Sequence, residues 1–339
     1  MNTPRIRPPP DIVLPVECQA LVDAGALVAL NTSGGKDSQA MTILLSRLVP
    51  RDQLLAVHAP LGEVEWPGTI GHIERTLTPG VPLILAPVTS GKTLLEAIEE
   101  RGRFPDSARR YCTSGWKRGP IERELRRYVK AHPRFGGRIV SAMGMRADES
   151  PARSKRAPWK RNDRNSRAGR QWFDWLPIHS LSANDVFRVI AEAGQSPHWA
   201  YAAGMSRLSC SFCILASRSD LRCAAELRPA LYRRYVHLER RIGHTLSPTR
   251  NPLPEVTGVP VPPSAAGSLR KAPRLLDEAA DRADLHSGHA RGRRRDPASR
   301  VPVPPSRPGE AEPGSVQGGR GAAGEGPAAR PARDTRRTE

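Results

Sequence analysis

Residues 26–45 read Ala26-Leu27-Val28-Ala29-Leu30, Asn31-Thr32, Ser33-Gly34-Gly35-Lys36-Asp37-Ser38, then Gln39-Ala40-Met41-Thr42-Ile43-Leu44-Leu45. A continuous apolar run, a glycine turn and a second apolar run with helical spacing follow one another. The first is expected to be a buried strand and the last a helix. A turn between such elements aims free backbone N–H groups and the positive end of the helix dipole at one point, which suits an anion. Gly34 and Gly35 let the backbone approach that anion closely. Ser33 and Ser38 can add hydroxyl donors, and Lys36 adds a point charge.

Further along, Leu54–His58, Pro82–Val88 and Arg138–Gly144 read as strands, and residues 93–100 carry helical spacing through Leu94, Leu95 and Ile98. Order returns from Trp172 to Ile178. Ser182 heads a capped amphipathic helix with Val186, Phe187 and Ile190 on its apolar side. Strands separated by helices predict right-handed βαβ units, hence a parallel sheet of about five strands with helices on both faces. Ligands on such sheets sit beyond the carboxyl ends of the strands. The turn at 33–38 is one such end, and Met143-Gly144-Met145-Arg146 is another.

The 339-residue chain carries a formal net charge of +19, which favours polyanionic partners. It has no run of about 18 apolar residues, so no membrane span is expected. Its first residues lack the apolar stretch of a signal peptide, and the expected setting is the cytoplasm. There the five cysteines read as metal ligands, redox thiols or core residues rather than disulfides. Residues 1–17 read as an irregular proline-rich arm, 18–245 as the folded domain and 152–170 as a basic mobile loop. No Trp, Tyr, Phe, Met or Cys follows Tyr235. Residues 246–339 therefore read as a disordered tail, with a short helix around Leu275 to Asp284.

The run SGGKDS resembles the SGGxDS signature of the PP-loop ATP pyrophosphatases. Three more segments extend the likeness: Tyr111-Cys112-Thr113-Ser114-Gly115-Trp116-Lys117-Arg118-Gly119-Pro120, Gly144-Met145-Arg146-Ala147-Asp148-Glu149-Ser150-Pro151-Ala152-Arg153, and the stretch from His198 to Cys213. Trp175-Leu176-Pro177-Ile178 followed by Asp185-Val186-Phe187 adds a fourth. Together they resemble the phosphoadenosine phosphosulfate (PAPS) reductase family in its broad sense, over roughly residues 25 to 235. That family includes sulfate reductases, sulfate adenylyltransferase small subunits and the ATP-using sulfurtransferases of DNA phosphorothioation. Pro60 stands where the family has an Asp before the acidic pair at Glu63 and Glu65, so the chain departs from the pattern there.

The resemblance implies a Rossmann-like (HUP-type) α/β domain with a small, mainly helical C-terminal part. It implies ATP, or PAPS, on Ser33, Gly34, Gly35, Lys36, Asp37 and Ser38, with Mg²⁺ on the phosphates. Lys117, Arg146 and Arg153 would add forked or point-charge contacts to phosphate or sulfate. Lys36, Asp37 and Arg146 would serve the chemistry. Cys210 and Cys213 form a C-x₂-C pair, and with Cys112 and Cys223 they supply the four thiolates of a [4Fe-4S] cluster. A zinc site using His198 or His244, and ordinary buried or redox cysteines, stay open beside it. Cys18 reads as core. Trp116, Trp175 and Trp199 offer stacking faces, and His58 ends a strand at the ligand-bearing edge.

The implied chemistry is release of AMP and pyrophosphate coupled to sulfur transfer, with a nucleic-acid acceptor and a sulfur-donor protein as candidate partners. One alternative is a thiol-dependent PAPS reductase, although no ECG[IL]H motif occurs and no cysteine follows Cys223. The other is a non-enzymatic nucleotide-sensing or nucleic-acid-binding module.

Overall fold

The computed structural model describes residues 12–263, all of them within one compact unit. Helix α1 (Val16–Asp23) leads into strand β1 (Leu27–Asn31), and the glycine turn then opens α2 (Lys36–Leu48). Strand β2 (Leu54–His58), α3 (Thr69–Thr76) and the short β3 (Leu83–Leu85) follow. Next come α4 (Leu94–Arg101), a helical turn α5 (Tyr111–Thr113) that widens into a π-type turn at Ser114–Arg118, and α6 (Gly119–Ala131). Strand β4 (Arg138–Met143), α7 (Pro151–Ser154), β5 (Trp159–Arg161) and β6 (Gln171–Trp175) complete the sheet. The remaining helices are α8 (Ala183–Glu192), α9 (Trp199–Ala202), α10 (Arg218–Leu227), α11 (Pro229–Ile242) and α12 (Leu253–Thr257).

The six strands lie in the order β3-β2-β1-β4-β6-β5. All neighbours are parallel except β5, which runs antiparallel to β6 at the edge. Side chains alternate across β1. Val28 and Leu30 face one side with Met41 and Leu45 of α2 and with Val186 and Ile190 of α8. Leu27 and Ala29 face the other, with Leu125 and Val129 of α6 and with Phe135. Both faces are thereby covered, as a parallel sheet requires. Strand β1 pairs with β2 on one side and with β4 on the other. The chain order reverses there, and the end of β1 opens into the crevice at this switch point.

A second core is mainly helical. Leu94, Leu95 and Ile98 of α4 meet Leu221 and Ala224 of α10 and Tyr232 and Tyr235 of α11. Leu246, Leu253 and Val256 are buried in the same cluster. This corrects the expected domain end at 245. Glu239, 4% exposed, holds the segment on: its two carboxylate oxygens accept the Leu246 and Leu253 N–H groups, each at 2.8 Å. Tyr232 donates its hydroxyl to the Val259 carbonyl at 2.7 Å. A few aliphatic anchors and satisfied amides order residues 246–263, which have no aromatic side chain of their own. The rest of the expected tail, with the Leu275–Asp284 helix, lies outside the described residues, as do residues 1–11.

Two other expectations change. Residues 152–170 are not a free loop, because α7 and the β5–β6 pairing fold them against the sheet edge. Trp159 stacks on Phe173, with ring centroids 5.0 Å apart. The arm ends in structure too, with Ile12 buried and α1 beginning at Val16.

Candidate nucleotide-binding site

Strand β1 delivers the turn rigidly. Asn31 donates its side-chain amide to Ser141 Oγ at 3.0 Å and to the Ala142 carbonyl at 2.8 Å, tying the end of β1 to β4. The Thr32 N–H donates to the Val57 carbonyl at 2.9 Å. Gly34 then adopts φ +71°, the left-handed region where a side chain is strained. A Cβ there would lie 2.9 Å from Thr69 Cγ2. The Ser38 hydroxyl closes the turn by accepting the Ser33 N–H at 3.1 Å and donating to the Gly35 carbonyl at 2.9 Å.

The N–H groups of Gly34, Gly35 and Asp37 have no hydrogen-bond partner among the described residues. They stand at the N-terminus of the thirteen-residue α2, where the helix dipole is positive. The Lys36 N–H donates to the Tyr201 hydroxyl at 3.1 Å, and the Leu208 N–H donates to the same oxygen at 3.2 Å. Behind the turn, a Cβ on Gly144 would sit 2.8 Å from the Ser38 nitrogen. Only a glycine lets the end of β4 pass so close to the loop.

The charged residues form one internal relay. Lys36 Nζ lies 2.8 Å from Asp37 Oδ2, and Arg146 Nε lies 2.6 Å from Asp37 Oδ1. Arg146 Nη1 reaches both oxygens of Asp148 at 2.5 Å. Lys36 and Arg146 are 6% and 4% exposed, so the pairs they make with Asp37 are largely shielded from water, whereas Asp148 faces solvent. Lys36 Nζ also lies 5.9 Å from the ring centres of Phe187 and Tyr201. Both Asp37 oxygens are committed to cations, so Asp37 fits a loop-holding role and not that of a free magnesium ligand. Arg153 pairs with Glu149, whose carboxylate also accepts the Arg146 N–H at 2.9 Å.

Lys117 belongs to a second cluster. Burial lowers its pKa, but Cys210, Cys213, Cys112 and Glu65 outweigh burial and hold it above the ordinary lysine value. Burial pushes Cys210 up to about 11 and raises Cys112 as well, against the pull of Lys117. Glu65 Oε1 lies 3.3 Å from His58 Nε2, and His58 Nδ1 is 3.1 Å from the Thr32 carbonyl beside the glycine turn. The thiol cluster thus adjoins the carboxyl end of β2.

Cys223 stands apart. Its thiol donates to the Ala203 carbonyl at 3.2 Å, and its charged neighbours are Glu226 and Asp220. His198 caps α9 by accepting the Ala200 N–H, and its ring stands 5.2 Å from that of His72. His244 accepts the Phe104 N–H at 3.4 Å. Among the described residues no group of three or more His, Cys, Asp or Glu side chains is arranged to hold a metal ion. The four-thiolate cluster does not fit, because Cys223 faces away from the other three cysteines, and the zinc site does not fit either, because His198 is engaged with Ala200 and His72 and His244 with Phe104. Cys18 is fully buried in the core, as expected. Trp175 is a core side chain, and Trp199 packs edge-on against Trp66, with ring centroids 5.6 Å apart.

A glycine turn at the switch point of a mostly parallel sheet, with helices on both faces, defines a Rossmann-like α/β protein with a phosphate-loop geometry. The chain belongs to the phosphoadenosine phosphosulfate reductase domain family, whose model matches residues 27–216. The match takes in the glycine turn, Cys112, Cys210 and Cys213 and stops short of Cys223. An uncharacterized protein of Methanocaldococcus jannaschii is 28% identical over 218 residues, which are 64% of this chain and 49% of that one. An uncharacterized 37.8 kDa protein of Escherichia phage 186 is 30% identical over 132 residues, 39% of this chain and 38% of its own. The chain thus spans about half or less of these relatives.

Among solved structures, the PAPS reductase of Candida auris in a phosphate complex is similar at 14% identity and a TM-score of 0.36, over 59% of this chain and 98% of that one. The FMN adenylyltransferase of Candida glabrata with ATP is similar at 12% identity and a TM-score of 0.34, over 57% and 61%. Those scores are low, and the fold assignment rests on the sheet order itself. No helix among the described residues is long and apolar enough to cross a membrane.

Proposed function

We propose that the chain binds ATP or an adenylyl nucleotide on residues 33–38 and catalyses its cleavage to AMP and pyrophosphate in a sulfur-transfer reaction. The observation that carries this reading is the set of unpartnered N–H groups of Gly34, Gly35 and Asp37 at the start of α2, at the open end of β1. Such donors favour a phosphate, and they favour it more as charge develops on a leaving pyrophosphate. A substrate oxygen would attack the α-phosphorus, the bond to the bridging oxygen would break, and pyrophosphate would leave with the electron pair; a sulfur nucleophile from a donor would then attack the carbon bearing the adenylylated oxygen, and AMP would leave with that carbon–oxygen electron pair. Lys36, within the turn itself, supplies a cation there, and Asp37 with Arg146 and Asp148 fixes its place. Mg²⁺ would arrive on the nucleotide and offset phosphate charge, since Asp37 is already paired.

The cysteines give less support to thiol-dependent reduction. Burial raises Cys112 and Cys210, so both are largely protonated at neutral pH and are weak nucleophiles. The test measures AMP, pyrophosphate and sulfite side by side, with ATP or PAPS as substrate and thioredoxin as reductant. The proposal expects AMP and pyrophosphate from ATP, lost in Lys36→Ala. Sulfite from PAPS, abolished by a single Cys→Ser change and without ATP cleavage, would assign the chain to reduction.

A further inference from the structure

We infer that a cavity of roughly 550 Å³, distinct from the nucleotide loop, is a docking site for the phosphodiester backbone of a nucleic acid. Its walls come from the end of α4, the loop after it and the π-type turn, and they carry Arg101, Arg103, Arg109, Arg110 and Arg118. Five guanidinium groups around one cavity raise a local positive potential that attracts an anion. The protein supplies little of that anion. Asp106 reaches Arg103 at 3.4 Å but spends its other oxygen on the Ala108 and Arg109 N–H groups. Arg118 lies 3.7 Å from Glu122. Arg109 and Arg110 are exposed; Arg109 shares the charge of Asp106 with Arg103, and the Arg110 side chain makes neither a hydrogen bond nor an ion pair among the described residues.

The arginines of α11 behave differently. Arg234 pairs with Glu63, and Arg241 lies 2.7 Å from Glu99. High arginine content alone therefore does not leave guanidinium groups unpaired in this protein.

Two observations set the kind of partner. First, the charge is extended. Glu122 pairs with Arg118 of the cavity and also with Arg164 at 3.4 Å, and the β5–β6 hairpin that carries Arg164 exposes Lys160, Arg161 and Arg167 as well. A repeating polyanion can use that length, and one isolated phosphate cannot. Second, the large exposed apolar side chains (Val13, Val16, Leu48, Leu85, Phe187, Leu215) all lie elsewhere. A protein interface would place apolar or aromatic anchors at its centre. Guanidinium forks match phosphate oxygens two at a time.

The test is fluorescence anisotropy of the full chain with a labelled 20-mer oligothymidylate and, separately, a 20-base-pair duplex, between 50 and 300 mM KCl. The two arms distinguish single strand from duplex. The wild type should bind one of them, with log affinity falling linearly against log salt. Replacing Arg109, Arg110 and Arg118 together by Gln should reduce the slope by about two on the single strand, or nearly three on duplex. Replacement of the same three by Lys should keep the slope, and ATP affinity by calorimetry should not change in either variant. Replacing Arg233, Arg234 and Arg241 by Gln should change the slope by less than one. An unaltered slope in the first Gln variant, an equal drop in the α11 variant, or displacement of the oligonucleotide by tripolyphosphate at matched phosphate concentration would overturn the inference. The ATP arm reads the loop independently of this cavity.

Discussion

The Tyr201 hydroxyl stands 3.1 Å from the Lys36 amide nitrogen, across 165 residues of sequence, and accepts its N–H. With the Leu208 N–H it takes up both lone pairs, so its own proton is left to donate. Phe187 buttresses the ring edge-on, with centroids 5.8 Å apart. The phenol is thus a fixed donor beside the three open amides of the loop.

Tyr201→Phe should weaken ATP binding about three- to tenfold, the loss of roughly one hydrogen bond to a charged acceptor. Calorimetry on the two proteins checks this. An unchanged Kd would place the hydroxyl in a purely structural role.

Glu239 and Leu253 bind the last described segment to the helical core. Leu253→Ala should cost about 2–4 kcal/mol, because a fully buried side chain leaves a cavity. Glu239→Ala leaves two buried N–H groups without acceptors and should cost a similar amount. Burial raises the Glu239 pKa, so its ionisation costs stability that the folded protein keeps below the ordinary carboxylate range and loses as pH rises through the raised value. Urea melts of both variants at pH 7 decide this. A change under 1 kcal/mol in each would mean that residues 246–263 are not part of the core.

His72 and His198 are buried side by side, and burial lowers both from 6.5 to about 4. Both rings must be neutral in the folded state. The stability this gives is complete above pH 6.5 and is lost as pH falls towards 4. By pH 5 the loss should be about 2 kcal/mol for each ring. His72→Gln should flatten the decline between pH 7 and 5 in urea midpoints, and an identical decline in wild type and variant would refute the assignment.

Much of the sheet was legible because β1 and β2 are nearly unbroken apolar runs and β4 is an apolar run interrupted only by Ser141, each bounded by turn residues. Strand β5 was not, since Trp159-Lys160-Arg161 is a polar edge strand whose order comes from pairing with β6. Helix α12 escaped notice because Leu253 and Val256 are sparse anchors in a proline-rich stretch. The glycine turn was legible from local chemistry. The Tyr201 contact was not, because no local pattern reports a partner 165 residues away. The C-x₂-C spacing predicted that Cys210 and Cys213 would lie together, and Cys112 joins them through the fold. Helix α10 turns Cys223 towards Ala203, a direction that spacing cannot reveal.

The most direct measurement of the central claim is calorimetric titration of wild type and Gly34→Ala with MgATP. A Cβ at φ +71° and 2.9 Å from Thr69 Cγ2 distorts the loop without touching the relay through Arg146. The account predicts one site in the wild type and affinity at least about tenfold weaker in the variant, or about 1.4 kcal/mol, in a protein that is still folded at the titration temperature although the strained Ala lowers its melting temperature. Equal affinity in the two proteins, or no ATP binding by the wild type, would contradict it.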